Sequence, residues 1–370
     1  MDDGQAFEID SAITVLIDKG LVDKELVLSN DLLVESGLRR NRNFQVLTTN
    51  GGLFVKQPDP LSPGSYKTTR AEVSFYEHFA SSNELVKSIL PRLKYSEQTN
   101  PLLALELLSD HKTFWGYCNS YKLPQFPIQV CREIGRRVGT LQGFLRNRFA
   151  NDTLYSMNLN SNPPWVSKIH QPGPMNLTTL GPAGIHVLQM IQASSTITAG
   201  LDDFAKDWER TTIIHGDVKA DNILIKASGP TGYDIRIVDW EMVQIGDPAW
   251  DAAGFLHDLV LFWLKHLSYT DKDDIGLLVD QAGIPLEVIQ TAIREFWTAY
   301  VSAAGIPEEC HERAVTKVAQ HIAARMIQSS YEATISQSET PPMIVLTLQV
   351  CENILANPKS AALDFLAILR

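Results

Sequence analysis

Two short β-prone runs, NILI (222–225) and DIRIVD (234–239), flank KASGPTGY, a stretch dense in turn formers. That pattern leaves the chain few options. The runs pair as a hairpin, and a hairpin brings its outer ends together. Asn222, entering the first strand, and Asp239, leaving the second, are therefore expected side by side. Just upstream, IIHGDVKADN places His215, Asp217, Lys219, Asp221 and Asn222 within eight residues. Asp217 precedes Asn222 by five positions, on a loop that can fold back over the same end of the hairpin.

Two carboxylates and a carboxamide at one point have a definite chemical use. Oxygen ligands suit Mg²⁺, which takes one or two protein groups and completes its octahedron with phosphate oxygens and water. Asn222 and Asp239 fill that role. Asp217 is left to orient an acceptor hydroxyl and take its proton as it attacks a γ-phosphate.

The rest of the chain supplies the setting. Residues 10–35 carry short amphipathic pieces, read as a helical N-terminal extension over 1–37. FQVL and LFVK, separated by TTNGG, predict a second hairpin turning at Asn50-Gly51, with Lys56 ending its second strand. TTRAEVSFYEHFA predicts a helix with Thr69 as N-cap and Glu72 in its first turn. LLALELLSD (102–110) reads as a buried strand running into a short link. Residues 38–105 thus form a small mixed unit, and 106–370 a larger, mainly helical one. In the latter, IQVCREIGRRVGTLQGFLRN puts Val130, Ile134, Val138, Leu141 and Leu145 on one face. GDPAWD opens another helix, with Asp247 as N-cap and Pro248 at the first helical position. The Asn/Pro-rich stretch 151–182 is either a binding loop or a surface insertion. Three or four amphipathic helices follow Asp271.

Composition excludes several classes. The formal net charge of -11 and the absence of a basic block argue against a nucleic-acid partner. Cys118, Cys131, Cys310 and Cys351 are scattered, without zinc-ligand or paired spacing. The start MDDGQAFEID is the opposite of a signal peptide, and no apolar run approaches the roughly 20 residues of a membrane span. The expectation is a cytoplasmic protein without a membrane partner.

HGDVKADN, IVDWE and GDPAWD together resemble the catalytic loop, metal motif and following helix of the aminoglycoside phosphotransferase and choline kinase group, relatives of protein kinases. The resemblance covers about 38–265. It implies an α+β, bilobal, protein-kinase-like fold and an ATP- and Mg²⁺-dependent transfer to an alcohol. By motif, Asp217 matches the catalytic aspartate, Asn222 and Asp239 the metal ligands, and His215 the histidine that braces the loop. Asp251 matches the acid supporting it from the next helix. Lys56 resembles the lysine that pairs with the nucleotide phosphates, and Glu72 the helix glutamate that orients it. LELLSD resembles the link between lobes, holding adenine near Glu106 to Leu108.

The chain departs from the family pattern in two places. ESGLRRNRNFQV has no glycine run, and Arg39, Arg40 and Arg42 stand there instead, either clamping phosphate or lying as solvated surface charges. Trp240 and Glu241 replace the phenylalanine and glycine of protein kinases. Lys219 matches a lysine of serine/threonine protein kinases that touches the γ-phosphate. With VDWE and GDPAWD, it also resembles kinase-like components of class V lanthipeptide synthetases, which phosphorylate Ser or Thr of a precursor peptide and work beside a lyase or cyclase. A small-molecule acceptor (an aminoglycoside, choline or a sugar-like alcohol) is the alternative. A metal-dependent hydrolase using His215, Asp217 and Asp239 as ligands, and a kinase-like module without turnover, are the competing classes. His111, His170 and His186 are read as surface or satisfied core residues, and Phe262 and Trp263 as core.

Overall fold

Residues 51–57 show the sheet being built by alternation. In β3 (Gly51–Gln57), Leu53 and Val55 are buried in an apolar cluster with Phe44, Val46, Leu102 and Ala104, while Phe54 and Lys56 line a cavity. That is the two-residue period of a strand. β3 pairs antiparallel with β2 (Arg42–Thr48), and β2 with β1 (Leu33–Leu38). β5 (Leu102–Glu106) and β4 (Leu93–Glu97) complete a five-stranded antiparallel sheet in the order β1-β2-β3-β5-β4.

The computed structural model describes residues 9–28, 33–38, 41–48, 51–62, 64–121, 125–151, 157–173, 180–229, 232–267 and 282–368. Asn50 of the expected turn, Arg39, Arg40, Asp271 and parts of the 151–182 stretch lie outside them.

By contacts, the chain divides into two units. The first takes in Met1–Phe114, Thr153–Leu159 and Asp221–Val243. Its N-terminal segment is more than a helical extension. α1 (Ile9–Asp18) and α2 (Lys24–Leu28) are followed by β1, so the sheet begins before residue 38. Ala12 and Leu16 of α1, with Val22, pack into the sheet cluster and are almost fully buried. Each fully buried side chain of this size contributes on the order of 1.5–3 kcal/mol.

α3 (Ser65–Phe79) starts five residues earlier than the sequence suggests, with Gly64 at its N-cap. Thr69 is therefore an interior residue, not a cap, and Glu72 is mid-helix, not in the first turn. The Thr69 hydroxyl donates to the Ser65 carbonyl at 2.9 Å, a local bond that serine and threonine commonly make inside helices. α4 (Glu84–Lys87) follows, capped by Asn83.

The hairpin forms as expected. β8 (Ile223–Ser228) and β9 (Gly232–Ile237) pair antiparallel, with Ile223 opposite Ile237, and β6 (Lys112–Thr113) adds a third strand against β8. Far along the chain though it is, the hairpin belongs to the first unit. The Ile237 N–H donates to the Ile89 carbonyl at 2.9 Å, and Arg236 donates to the carbonyls of Lys87 and Leu90, both at 3.0 Å.

The second unit comprises Trp115–Asp152, Asn160–Ala220 and Gln244–Arg370. α5 (Phe114–Cys118) begins at the last residue of the first stretch of unit one. α6 (Ile128–Asn151) buries Val130, Ile134, Val138, Leu141 and Leu145, the face read from the sequence. α7 (Pro182–Ala193) and α8 (Ser195–Lys206) precede β7 (Thr212–Ile214), which pairs with β10 (Gln244–Gly246). In α9 (Pro248–Lys265) Asp247 caps the helix by accepting the Ala249 N–H, with Pro248 following. α10 (Leu286–Ala304), α11 (His311–Thr334) and α12 (Pro342–Ala356) complete the bundle. α10 faces α6 with Ile289, Ile293, Phe296 and Tyr300 buried. Among the described residues, no helix is long and apolar enough to cross a membrane.

Candidate active site

In the first unit, Lys56 is the centre of a buried charge cluster. It is 2% exposed. Strand alternation turns its side chain away from the apolar cluster, and α3 presents Glu72 to it. The ammonium donates to both Glu72 carboxylate oxygens, at 3.0 and 2.8 Å, and also to Asp239. Burial works to lower the lysine's affinity for its proton, but Glu72 and then Asp239 outweigh it and hold the group well above the ordinary lysine range. For Glu72, burial dominates and pushes the carboxyl up to about 7, against the pull of Lys56. The ion pair is therefore a mutual requirement, because neither charge is stable at this depth alone.

The metal motif is fixed to the same helix. Asp239 has φ 71 and ψ 58, the left-handed conformation, which few non-glycine residues adopt. The turn it makes lets the next backbone N–H, that of Trp240, donate to Glu72 at 2.9 Å. The Trp240 ring stacks on Phe75 of α3, centroids 3.9 Å apart and 9° from parallel. Glu241 accepts from Asn41, whose own carbonyl oxygen accepts from Ser65 at 2.6 Å. Tryptophan and glutamate in place of phenylalanine and glycine thus become two anchors to α3 and the start of β2.

Asn222 and Asp239 meet as the hairpin requires: the Val238 N–H donates to the Asn222 carbonyl at 3.0 Å. Asn222 lies in a 3-10 turn immediately before β8 rather than in the strand. Both residues line a cavity of about 630 Å³ in this unit, together with Lys56, Glu106, Leu107 and Leu108. That volume lies within the range of small-molecule sites. A carboxylate and a carboxamide are hard oxygen donors and fit Mg²⁺, which needs few protein ligands when phosphate supplies the rest. Among the described residues no group of three or more His, Cys, Asp and Glu could hold a metal by itself.

Arg42 is not brought to this cavity. It pairs with Asp59 at 3.5 Å, and the adjoining Asn43, Phe44 and Gln45 are lining residues. The His111 side chain is 6% exposed and lies 3.3 Å from Asp234, within the expected range of surface or satisfied core, and it also lines the cavity. Its signal in the sequence is position, directly after the expected LELLSD link.

In the second unit the loop carrying His215, Gly216 and Asp217 is held from below. Gly216 has φ 82, a conformation glycine adopts without strain. Asp251, in the first turn of α9, accepts the backbone N–H groups of His215 at 2.8 Å and Gly216 at 2.9 Å, and the Gln142 amide at 2.6 Å. Burial pushes its carboxyl up, opposed by His215 and these backbone donors. His215 Nδ1 accepts the Asp217 N–H at 3.2 Å. Two turns further along α9, Asp258 accepts the Ala220 N–H at 2.7 Å. Trp263 is core, whereas Phe262 is half-buried and stacks on Trp115 at 4.7 Å.

Asp217 is 23% exposed and carries two cations: Lys219 on Oδ2 at 2.6 Å and Arg325 on Oδ1 at 3.2 Å. Burial raises its carboxyl, but Arg325 and then Lys219 more than compensate and hold it below the ordinary aspartate range. Arg325 is the residue that sequence reasoning misses. The one hint is a lone arginine in the otherwise apolar HIAARMI run of α11, where a charge is rarely buried unless it is paired.

The profile of the phosphotransferase enzyme family matches residues 187–269, which contain this loop, the hairpin and the whole of α9. No curated protein matches the chain by sequence. Among solved structures, an ethanolamine kinase of Plasmodium vivax is similar at TM-score 0.56 and 12% identity, over 95% of this chain and 91% of that one. Choline kinase of Cryptosporidium parvum gives 0.55 and 12%, over 96% and 97%. A putative aminoglycoside phosphotransferase of Ralstonia eutropha gives 0.52 and 13%, over 95% and 98%. At these identities the structural likeness establishes the fold, which is protein-kinase-like. Beyond the fold, the matched segment is similar to the phosphotransferase enzyme family. The motifs HGDVKADN, IVDWE and GDPAWD all lie within the matched segment.

Proposed function

We propose that the protein transfers the γ-phosphate of ATP, with Mg²⁺, to an acceptor hydroxyl. The observation that carries this reading is Lys56 buried between Glu72 and Asp239 on the wall of a cavity that also presents Asn222 and the Glu106–Leu108 segment. Lys56 binds the nucleotide phosphates, Glu72 fixes its ammonium, and Glu106 to Leu108 hold the base. Asn222 and Asp239 hold the metal, whose charge neutralises the β- and γ-phosphate oxygens when bound. Asp217 orients the acceptor. The acceptor oxygen bonds to the γ-phosphorus, the bond from phosphorus to the ADP oxygen breaks, and the acceptor proton passes to the Asp217 carboxylate. A carboxylate held ionised suits this role, since positioning and charge neutralisation dominate phosphoryl transfer.

Lys219 supports a Ser or Thr of a precursor peptide as the acceptor, with a partner lyase or cyclase acting on the phosphorylated residue. It is paired to Asp217 yet 37% exposed, so it can exchange that partner for a γ-phosphate. A small amino alcohol is the second reading, favoured by the ethanolamine kinase and choline kinase likenesses. Incubation with Mg²⁺-ATP and either a candidate peptide or a panel of small alcohols, read by mass, separates the two. A gain of one phosphate on the peptide, absent with Asp217→Asn, supports the first reading. Phosphorylation of small alcohols alone removes it, and no ATP-dependent product with any acceptor, together with no nucleotide binding by calorimetry, removes the phosphotransferase reading.

A further inference from the structure

Arg325 sits on α11, 108 residues beyond Asp217 in sequence, and is 3% exposed. Its neighbours Ile322, Ala323, Ala324, Met326 and Ile327 are all buried. A cation at such a depth loses several kcal/mol of hydration, and an apolar residue of similar size would serve stability at least as well. What the guanidinium does instead is hold three groups of the catalytic loop region at once. One terminal nitrogen meets Asp217 Oδ1 at 3.2 Å, the other donates to the Gly216 carbonyl at 2.9 Å, and the plane lies 4.1 Å over the Trp250 ring. Trp250 in turn donates its indole N–H to the same Gly216 carbonyl at 2.9 Å.

We propose that Arg325 is a positioning residue for phosphoryl transfer, fixing the Asp217 carboxylate and the loop beneath it so that the second carboxylate oxygen faces the acceptor. The proposal rests on the reading of Asp217 given above. The two carboxylate oxygens then have different fates. Oδ1 is committed to a rigid, buried fork, whereas Oδ2 is held by Lys219, whose flexible stem reaches the surface. An incoming hydroxyl displaces the lysine and leaves the arginine in place. Lysine at position 325 cannot reproduce the arrangement, because a point charge on a flexible stem cannot fork to two oxygens while stacking on an indole. The other ionisable groups contacting this loop are His215 and Lys219 within it and Asp251 and Asp258 from α9, with His257 beside Asp258. None of these supplies a second buried cation to Asp217 Oδ1.

The test compares wild type, Arg325→Lys and Arg325→Met in acceptor-free ATP hydrolysis, where water replaces the alcohol. In Arg325→Lys, kcat falls about a hundredfold, within the range of a disturbed general base, while KM for ATP changes by less than about twofold. In Arg325→Met, the acid limb of the kcat profile also moves up by about one pH unit, as expected for a carboxylate losing a neighbouring guanidinium. Full kcat in Arg325→Lys, or a loss confined to KM, overturns the proposal. A carbon-13 titration of the Asp217 carboxyl, its signal identified by its absence in Asp217→Asn, reads the same contact without turnover. A midpoint higher in Arg325→Met than in wild type supports the contact, and an unchanged midpoint overturns it. Absence of ATP turnover in wild type counts against the phosphotransfer reading alone, because the titration still judges Arg325.

Discussion

The Asp251 carboxylate accepts the backbone N–H of His215 at 2.8 Å across 36 residues of chain. With its bonds to Gly216 and Gln142, that one side chain satisfies three buried donors. The His215–Asp217 loop is thus suspended from the first turn of α9.

Asp251→Ala leaves those donors buried and unpaired. Loss of one partner from a buried charged network costs about 3 kcal/mol. Urea unfolding should show a fall of that order, and the surviving folded protein should lose at least tenfold in kcat. Asp251→Asn retains one acceptor but turns an amide toward backbone donors, so it should lie between wild type and the alanine variant on both measures.

Lys56→Met removes the only cation bonded to Glu72 by the contacts described. Burial already raises the Glu72 carboxyl, and without Lys56 it rises further. A carboxyl whose folded value lies above its unfolded value stabilises the protein at low pH, and that contribution is lost as pH rises through the folded value. The variant should therefore be more stable at pH 5 than at pH 8, by thermal unfolding at matched ionic strength. A variant equally stable at both would show that Glu72 gains another partner. Nucleotide affinity, measured by calorimetry, should fall at least tenfold at either pH.

The pairing of Asn222 with Asp239 is legible in the sequence because a hairpin is a local object, set by two β-prone runs and a turn between them. The start of α3 is less legible. Gly64 and Ser65 look like part of a loop, and only the contacts of Ser65 and Thr69 with Asn41 show why the helix extends back to them. Arg325 is the least legible, because its partner is 108 residues away and the apolar run around it is the one local hint of its burial. The side chains that act directly by the proposed reading sit in short motifs. Those that hold them come from the packing of distant helices, which spacing does not reveal.

α9 approaches the loop closely enough to exclude a methyl group. A Cβ at Gly254 would lie 2.1 Å from the Val218 carbonyl oxygen, a backbone atom with little freedom to retreat. Gly254→Ala should therefore push the loop off α9. Displacement of a reacting group by about 1 Å can cost on the order of a hundredfold in rate. We expect that loss in kcat, with nucleotide affinity within about twofold of wild type and a lowered Tm. Unaltered kcat would mean that α9, not the loop, yields.

His321 supplies a pH dependence remote from the chemistry. It is 2% exposed on α11, with its ring packed against Phe204 at 4.9 Å and Trp208 and Trp250 at 6.0 Å. Burial lowers its proton affinity to about 4 from the ordinary 6.5, with Asp247 opposing and Lys317 and Arg325 reinforcing the shift. Between those values the unfolded chain binds the proton and the folded one does not. Stability therefore falls as pH drops from 6.5 to 4, by about 3 kcal/mol in total from this group. His321→Gln removes the titration. Its stability, measured by urea unfolding across that window, should fall less steeply than that of wild type, by up to the same amount. Parallel curves for the two proteins would show that the ring is protonated in the folded state, paired with Asp247 across the helix end.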